Sequence, residues 1–201
     1  MAKNELPYFK VGEDGYGGAQ GWFTDRWMNI GGCAAVTACD SSIYFDLYKG
    51  KHIYPKDVHK ITKEDYLDFG MQMKPYLTPR YGGIDTMDIY MEGVNSFLAD
   101  RGEQNITLTP FDGEEPYEAA RAAVVKQIDA GYPVPTLTLK HSAPAMADYV
   151  WHWYLITGYR YEYGTDLVKV VTYGTWRWLA FDILWNTGYS RKGGLILFGE
   201  K

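Results

Sequence analysis

Apolar positions in the first two thirds of the chain recur at helical spacing. Residues 33–48 place apolar side chains on one helical stripe and stop at Gly50, which predicts a helix. Residues 84–100 show the same pattern and end before Gly102, so we predict another helix there. Further elements predicted in this part are a short helix after the cap-like Thr62, a helix over about 115–130, and a loop-rich arm over 1–30.

The last third of the chain has the composition of β-strands. β-Branched and aromatic residues dominate runs that are separated by turn residues. The predicted strands are 132–140, 149–162, 166–174, 177–184 and 194–199, with a short one earlier at 106–110. Helices followed by antiparallel strands predict an α+β fold class. We expect a single domain over 1–201, with a helical lobe at about 20–130, a sheet lobe at about 131–201 and a cleft between them.

Composition and charge restrict the partners of this protein. The net charge is −5 and no basic run is interleaved with aromatic residues, which argues against a nucleic-acid partner. No apolar stretch is long enough to span a bilayer, and the first residues lack the apolar core of a signal peptide. We therefore predict a cytoplasmic location and no membrane partner. The 18 tyrosines and 7 tryptophans fit a cleft for peptides or sugars, but we favour ordinary core and rim packing for most of them.

The two cysteines, Cys33 and Cys39, lie six residues apart. On a helix this spacing turns them about 120° away from each other, so we expect no disulfide. Cys33 follows Gly31 and Gly32 at the helix start, where free N–H groups and the helix dipole favour a thiolate. We predict that Cys33 is a nucleophile; the alternative is a small apolar side chain packed at a helix end. Cys39, followed by Asp40, is interpreted as an inert buried thiol.

Thiol chemistry also needs a base and an oxyanion donor. His152, in a mostly apolar strand, is the candidate base that takes the thiol proton; the alternative is a core histidine bonded to a backbone carbonyl. Gln20 is the preferred side-chain oxyanion donor, ahead of Asn29, and the Cys33 backbone N–H is a further donor. A surface glutamine is the alternative for Gln20. The remaining histidines, whose spacing with carboxylates gives no convincing metal site, are His52, His59 and His141.

Several short motifs stand in order along the chain. They are Gln20, Trp27, Gly32-Cys33 before an alanine-rich helix, the segment AGYPVPTLTL, and His152 on a strand that ends in Thr157-Gly158-Tyr159. This order resembles the bacteriocin-processing-peptidase-like (double-glycine peptidase-like) branch of the papain-like cysteine peptidase superfamily. The resemblance implies a papain-like fold and hydrolysis of peptide or amide bonds, without a metal or organic cofactor. It also implies that Cys33 is the nucleophile, His152 the base and Gln20 the oxyanion donor.

Two positions depart from that family's pattern. The family usually has an aspartate, and papain an asparagine, on the following strand to orient the histidine. Folding the hairpin about its turn near Gly164 puts the facing position at 172–176, a window without a carboxylate or carboxamide. Thr172 could accept a hydrogen bond from the ring, more weakly than a carboxylate does. The alternative is that Thr172 is an ordinary strand residue without a role toward His152. Ala34 stands where the family commonly has glycine.

The combined pattern predicts a cysteine peptidase or amidase that acts through a thioester on a peptide or amide substrate. The alternatives are a catalytically inactive papain-fold binding protein and an acyltransferase that passes the same thioester to another acceptor. Because no leader-recognition or transporter domain is attached, bacteriocin processing itself does not follow from the resemblance.

Overall fold

The computed structural model describes residues 3–201, so the first two residues of the predicted arm lie outside the described residues. The predicted α+β class is confirmed. The helices are α1 (Arg26–Gly31), α2 (Cys33–Lys49), α3 (Lys63–Met73), α4 (Met87–Asp100), α5 (Tyr117–Asp129) and α6 (Phe181–Trp185). The strands are β1 (Lys3–Glu5), β2 (Lys10–Val11), β3 (Gly15–Tyr16), β4 (Ile106–Asp112), β5 (Val134–Thr138), β6 (His152–Glu162), β7 (Thr165–Thr172), β8 (Thr175–Ala180) and β9 (Gly193–Glu200).

A seven-stranded antiparallel sheet organises the molecule. Its order is β4-β9-β5-β6-β7-β8, and β1 pairs with the second half of β6, beyond the end of β5. β2 and β3 form a separate small hairpin. His152 is the first residue of β6 and Thr172 is the last residue of β7. Because these neighbours are antiparallel, both residues lie at the same end of the sheet.

The sheet has a hydrophobic core on each face. Trp153 and Ile196 belong to one core, whereas their neighbours Tyr154 and Leu195 belong to the other, as alternation along a strand requires. The first core also takes residues from α2, α3 and α4, and the second takes residues from α5 and α6. The sheet thus fixes the start of β6 between two packed layers.

α2 is the most buried helix, with every residue from Cys33 to Phe45 buried. It ends as predicted at Gly50, whose φ of 65° suits glycine and whose N–H donates to the Phe45 carbonyl. Within residues 3–201, no helix is both long and apolar enough to cross a lipid bilayer.

Three predicted boundaries need correction. The strand predicted over 177–184 ends at Ala180 and gives way to α6, because Phe181, Leu184 and Trp185 are buried at helical spacing. The strand predicted over 149–162 begins only at His152, after a 3₁₀ helix over Pro144–Tyr149. The arm predicted as loop-rich contains α1, which starts where the Asp25 side chain accepts a hydrogen bond from the Met28 N–H at 2.9 Å.

Candidate active site

A cleft of about 560 Å³ lies between the start of α2 and the start of β6. Cys33, His152 and Gln20 all line it. The cysteine arrives on a helix from the N-terminal part, and the histidine arrives on a strand from the C-terminal part. The fold therefore brings together three predicted site residues that span more than half of the sequence.

The backbone at Gly32 sets the position of Cys33. Gly32 ends α1 and also precedes α2, and its N–H donates to the Met28 carbonyl at 2.9 Å. A Cβ at Gly32 would overlap that carbonyl oxygen, so a larger residue does not fit without a shift of the chain. Gly31 packs differently, since a Cβ there would only touch Pro79 at 3.4 Å. The Gly32 step thus lets two helices follow each other closely, with Cys33 at the start of the second.

The Cys33 thiol is buried, and this changes its predicted acidity. Burial raises the pKa of the Cys33 thiol, and the backbone N–H groups of Trp153, Ala34 and Cys33 itself act in the opposite direction. The helix start therefore favours the thiolate, as the sequence predicts, but burial outweighs it. In the resting protein Cys33 is a neutral thiol surrounded by N–H donors.

His152 is held from two sides. Its Nε2 lies 2.7 Å from the Thr172 hydroxyl oxygen, and the Tyr173 ring stacks on the imidazole at 4.5 Å with an interplanar angle of 7°. Burial lowers the pKa of His152 to about 4, so the ring is neutral at neutral pH. When Nε2–H donates to Thr172, Nδ1 carries the lone pair that can take a proton. The site thus has the neutral imidazole that a general base requires.

The turn that carries Thr172 and Tyr173 is anchored to the N-terminal arm. Tyr173 and Gly174 have φ of 55° and 71° and close the two-residue hairpin between β7 and β8. Gly174 donates its N–H to the Gly18 carbonyl at 2.9 Å and accepts from the Tyr16 N–H at 2.8 Å. The Tyr173 hydroxyl donates to the Asp148 carbonyl at 2.8 Å. These bonds hold the turn against the imidazole.

Gln20 reaches the cleft, but its amide N–H₂ donates to the backbone. Nε2 lies 3.1 Å from the carbonyl oxygens of both Asn29 and Ile30. Exchanging the amide oxygen and nitrogen would set oxygen against two carbonyls, so this orientation is the favourable one. Gln20 Oε1 is buried without a hydrogen-bond partner among the described residues. The oxyanion role of Gln20 stays a prediction, and it requires one N–H to leave a carbonyl.

The runner-up, Asn29, supports the loop instead of facing the cleft. Its Nδ2 donates to the carbonyls of Gly21 and Phe23 at 3.1 and 3.0 Å. His141, one of the histidines left out of the site, bonds the Ile183 carbonyl at 2.8 Å and accepts from the Ala143 N–H. Both residues stabilise local backbone.

Two features of the site were missed by sequence reasoning. Tyr173 lies inside the predicted window 172–176. It was missed because that window was considered for a hydrogen-bond partner of His152, whereas Tyr173 contacts the ring by stacking. The segment 80–83, which forms another wall of the cleft, lies in a connection rich in proline and glycine, without a helix or strand pattern. Its glycines signal a turn, but its approach to Cys33 depends on tertiary packing.

Across the part of the chain that the structure describes, no group of three or more His, Cys, Asp or Glu side chains could hold a metal ion. Both cysteines are free and buried.

No protein-family model matches the sequence, and no curated protein matches it either. The chemistry of the cleft is therefore the basis for a proposed function.

Proposed function

We propose that this protein is a cysteine-dependent hydrolase of peptide or amide bonds with a papain-like fold. The observation that carries the proposal is the His152–Thr172 contact at 2.7 Å, because His152 lines the cleft that also holds Cys33 at a helix start. The arrangement combines a thiol, a neutral base and a hydroxyl that orients the base. The resemblance to the papain-like superfamily agrees with this assignment, and the cytoplasmic location stays a prediction from the sequence.

The first half of the reaction forms a thioester. His152 Nδ1 takes the proton from the Cys33 thiol as Sγ attacks the carbonyl carbon, and the carbonyl π electrons move to oxygen. The Cys33 backbone N–H and Gln20, after it releases one carbonyl, donate to this oxyanion. The carbonyl then re-forms, the C–N bond breaks, and the imidazolium gives its proton to the leaving amine.

The second half regenerates the thiol. His152 takes a proton from water as the water oxygen attacks the thioester carbon. The C–S bond breaks, the sulfur recovers the proton, and the acid product leaves. Tyr173 stacks on the imidazole, so its proposed role toward His152 is positional: it keeps the ring plane fixed.

The resting pair is neutral on both sides. Burial raises the pKa of Cys33 and lowers the pKa of His152, so a thiolate–imidazolium pair is disfavoured until a substrate binds. This predicts a weakly reactive thiol in the free protein and a stronger one in the complex. Groups of the substrate that complete the hydrogen bonding in the cleft would supply the difference.

A binding protein without catalysis is the second candidate. The neutral pair, the engaged Gln20 amide and the absence of a carboxylate beside His152 within the described residues favour it. An acyltransferase differs from the hydrolase only in the acceptor of the thioester, an amine instead of water.

The decisive experiment is turnover with a matched pair of cysteine variants. Purified protein is incubated with a broad set of fluorogenic peptide amides, and Cys33→Ala is compared with Cys39→Ala. The proposal expects turnover in the wild type and in Cys39→Ala, and none in Cys33→Ala. Turnover that persists in Cys33→Ala, or none in any protein although the folded wild type binds these peptides, would overturn it. A wild type that forms more product with an added amine than with water identifies the acyltransferase.

A further inference from the structure

The cleft around Cys33 is walled by large side chains that remain exposed. Trp27, Ile30, Trp151 and Tyr173 line it with exposed fractions of 53%, 64%, 45% and 46%. Clustered exposed apolar surface on a folded protein is typical of a binding site. The walls therefore favour a substrate with a bulky apolar side chain.

One wall of the cleft also carries a free cation. Arg80 lines the cleft, and the lining includes no carboxylate. Among residues 3–201, no carboxylate oxygen lies within 4.0 Å of its guanidinium, whereas Arg191 pairs with Asp85 at 2.7 Å. A guanidinium beside apolar walls has its strongest partner in a carboxylate, which it can bind through two parallel hydrogen bonds.

The local backbone holds Arg80 near the cysteine. Pro79 is buried, and a Cβ on Gly31 would touch it at 3.4 Å, two residues before Cys33. The next four residues form a turn in which the Gly83 N–H donates to the Arg80 carbonyl at 2.9 Å. Gly82 and Gly83 have φ of 86° and 74° and face open space, so no side chain from them obstructs the cleft.

We propose that the cleft selects acyl donors that combine a bulky apolar side chain with a carboxylate, the carboxylate being bound by Arg80. This inference rests on the proposed function, because the term "acyl donor" presupposes acyl transfer to Cys33. The binding preference itself does not require catalysis. The apolar walls take the side chain, and among the described residues that line the cleft Arg80 is the only Asp, Glu, Lys or Arg.

The test uses sets of fluorogenic peptide amides that differ at one position. Each peptide has an aromatic residue next to the scissile bond and Glu, Gln or Lys at one of the next three positions. We expect that kcat/KM for Glu exceeds that for Gln by about tenfold at one position, the size of a charge-assisted hydrogen bond to an ionised group. Arg80→Gln should bring this ratio to about one, and Arg80→Lys should keep part of it.

Arg191→Gln is the matched control, because it removes an arginine that is already paired with Asp85. The Glu-to-Gln ratio should stay unchanged in this variant. Cleavage with equal kcat/KM for Glu and Gln at every position overturns the inference and leaves the proposed function intact. A preference for Glu that survives in folded Arg80→Gln also overturns it.

Binding to Cys33→Ala separates this inference from the proposed function. Tryptophan fluorescence reports binding, since Trp27 and Trp151 line the cleft. If the wild type cleaves nothing, but Cys33→Ala binds Glu peptides about tenfold tighter than Gln peptides in an Arg80-dependent manner, the hydrolase proposal fails and this inference holds. Equal binding of Glu and Gln peptides without cleavage contradicts both.

Discussion

The two cysteines, Cys33 and Cys39, lie on the same helix, α2, and are buried to nearly the same extent, yet their surroundings differ. Cys33 is 7% exposed and lines the cleft, where three backbone N–H groups oppose the effect of burial on its pKa. Cys39 is fully buried, and both burial and the neighbouring Asp40 charge raise the pKa of its thiol further. Of the two thiols, therefore, only that of Cys33 belongs to the cleft lining.

The regions around these cysteines also differ in what surrounds them. Cys33 lines a cleft that His152 and Tyr173 also line. Around Cys39, the neighbouring Asp40 accepts hydrogen bonds from Tyr8 at 2.9 Å, Tyr66 at 2.6 Å and the Gly18 N–H at 3.0 Å. The start of the helix faces the cleft, whereas its middle is bonded to the N-terminal arm, whose Gly18 carbonyl in turn accepts from the Gly174 N–H.

Removing the base should make Cys33 resemble Cys39. In His152→Ala we expect kcat to fall by about 10²–10⁴-fold, the usual contribution of a positioned general base. Steady-state kinetics measures the fall. His141→Ala is the control, since its ring bonds the Ile183 carbonyl outside the cleft, and it should retain activity. Equal losses in the two variants would contradict the assignment of His152.

The middle of α2 should show its own pH dependence. Burial raises the pKa of Asp40 to about 6, although three hydrogen-bond donors act in the opposite direction. The stabilisation from its neutral form is complete below the unfolded pKa, near 4, and is lost as pH rises through about 6. We expect the unfolding free energy of wild type relative to Asp40→Asn to fall by roughly 3 kcal/mol over that range. This figure converts the rise of the Asp40 pKa at 1.36 kcal/mol per pKa unit.

Urea unfolding at pH values from 4 to 8 measures this difference. Comparison with Asp40→Asn is needed because His152 has the opposite sign. Its lowered pKa, about 4, gives a stabilisation that is present above its unfolded pKa and is lost as pH falls toward 4. If the unfolding free energy of wild type minus that of Asp40→Asn stays constant or grows with pH, burial does not destabilise the Asp40 carboxylate.

The junction between α1 and α2 at Gly32 should affect the position of Cys33, which follows it directly, and not that of Cys39. Gly32→Ala places a Cβ against the Met28 carbonyl, which should cost about 1–3 kcal/mol of stability, as overpacking does. Thermal unfolding measures the loss, and alkylation of Cys33 should slow as the helix start shifts. Gly21→Ala is the matched control, because a Cβ there meets nothing within 4 Å. An unchanged melting temperature in Gly32→Ala would refute the steric account of this junction.

The smallest expected effect concerns the orientation of His152. Thr172→Val keeps the shape of the side chain and removes the hydroxyl that lies 2.7 Å from Nε2. We expect kcat to drop about three- to tenfold, the value of one neutral hydrogen bond, with KM nearly unchanged. Thr172→Ser should restore most of the activity. If Thr172→Val is fully active, Tyr173 stacking alone orients the ring.

Local patterns predicted the helix that begins at Cys33 well. Gly31-Gly32 before an alanine-rich run predicts a helix start at Cys33, and α2 begins there and ends at Gly50. Each of these features is decided within a few residues, by glycine conformation and side-chain size. The sequence could not show that burial raises the pKa of the thiol, because that depends on packing against β6 and the cleft walls.

The His152 end depends on pairing between distant segments. Its facing window, 172–176, could be inferred from the hairpin register, and Thr172 lies in it. The stacking of Tyr173 and the approach of the turn at Arg80 could not, because both depend on where loops meet in three dimensions. The start of α6 was also hidden, since Phe181 and Trp185 suit a strand as well as a helix.

Alkylation of the two cysteines tests the central claim most directly. The folded protein is treated with iodoacetamide at pH 7 to 10, and mass spectrometry quantifies the label on Cys33 and Cys39 in wild type and His152→Ala. We predict label on Cys33 long before Cys39, a rate that rises with pH because the raised pKa limits the thiolate, and a slower rate in His152→Ala. Equal labelling of the two cysteines, or a Cys33 rate that does not depend on His152, would contradict the account.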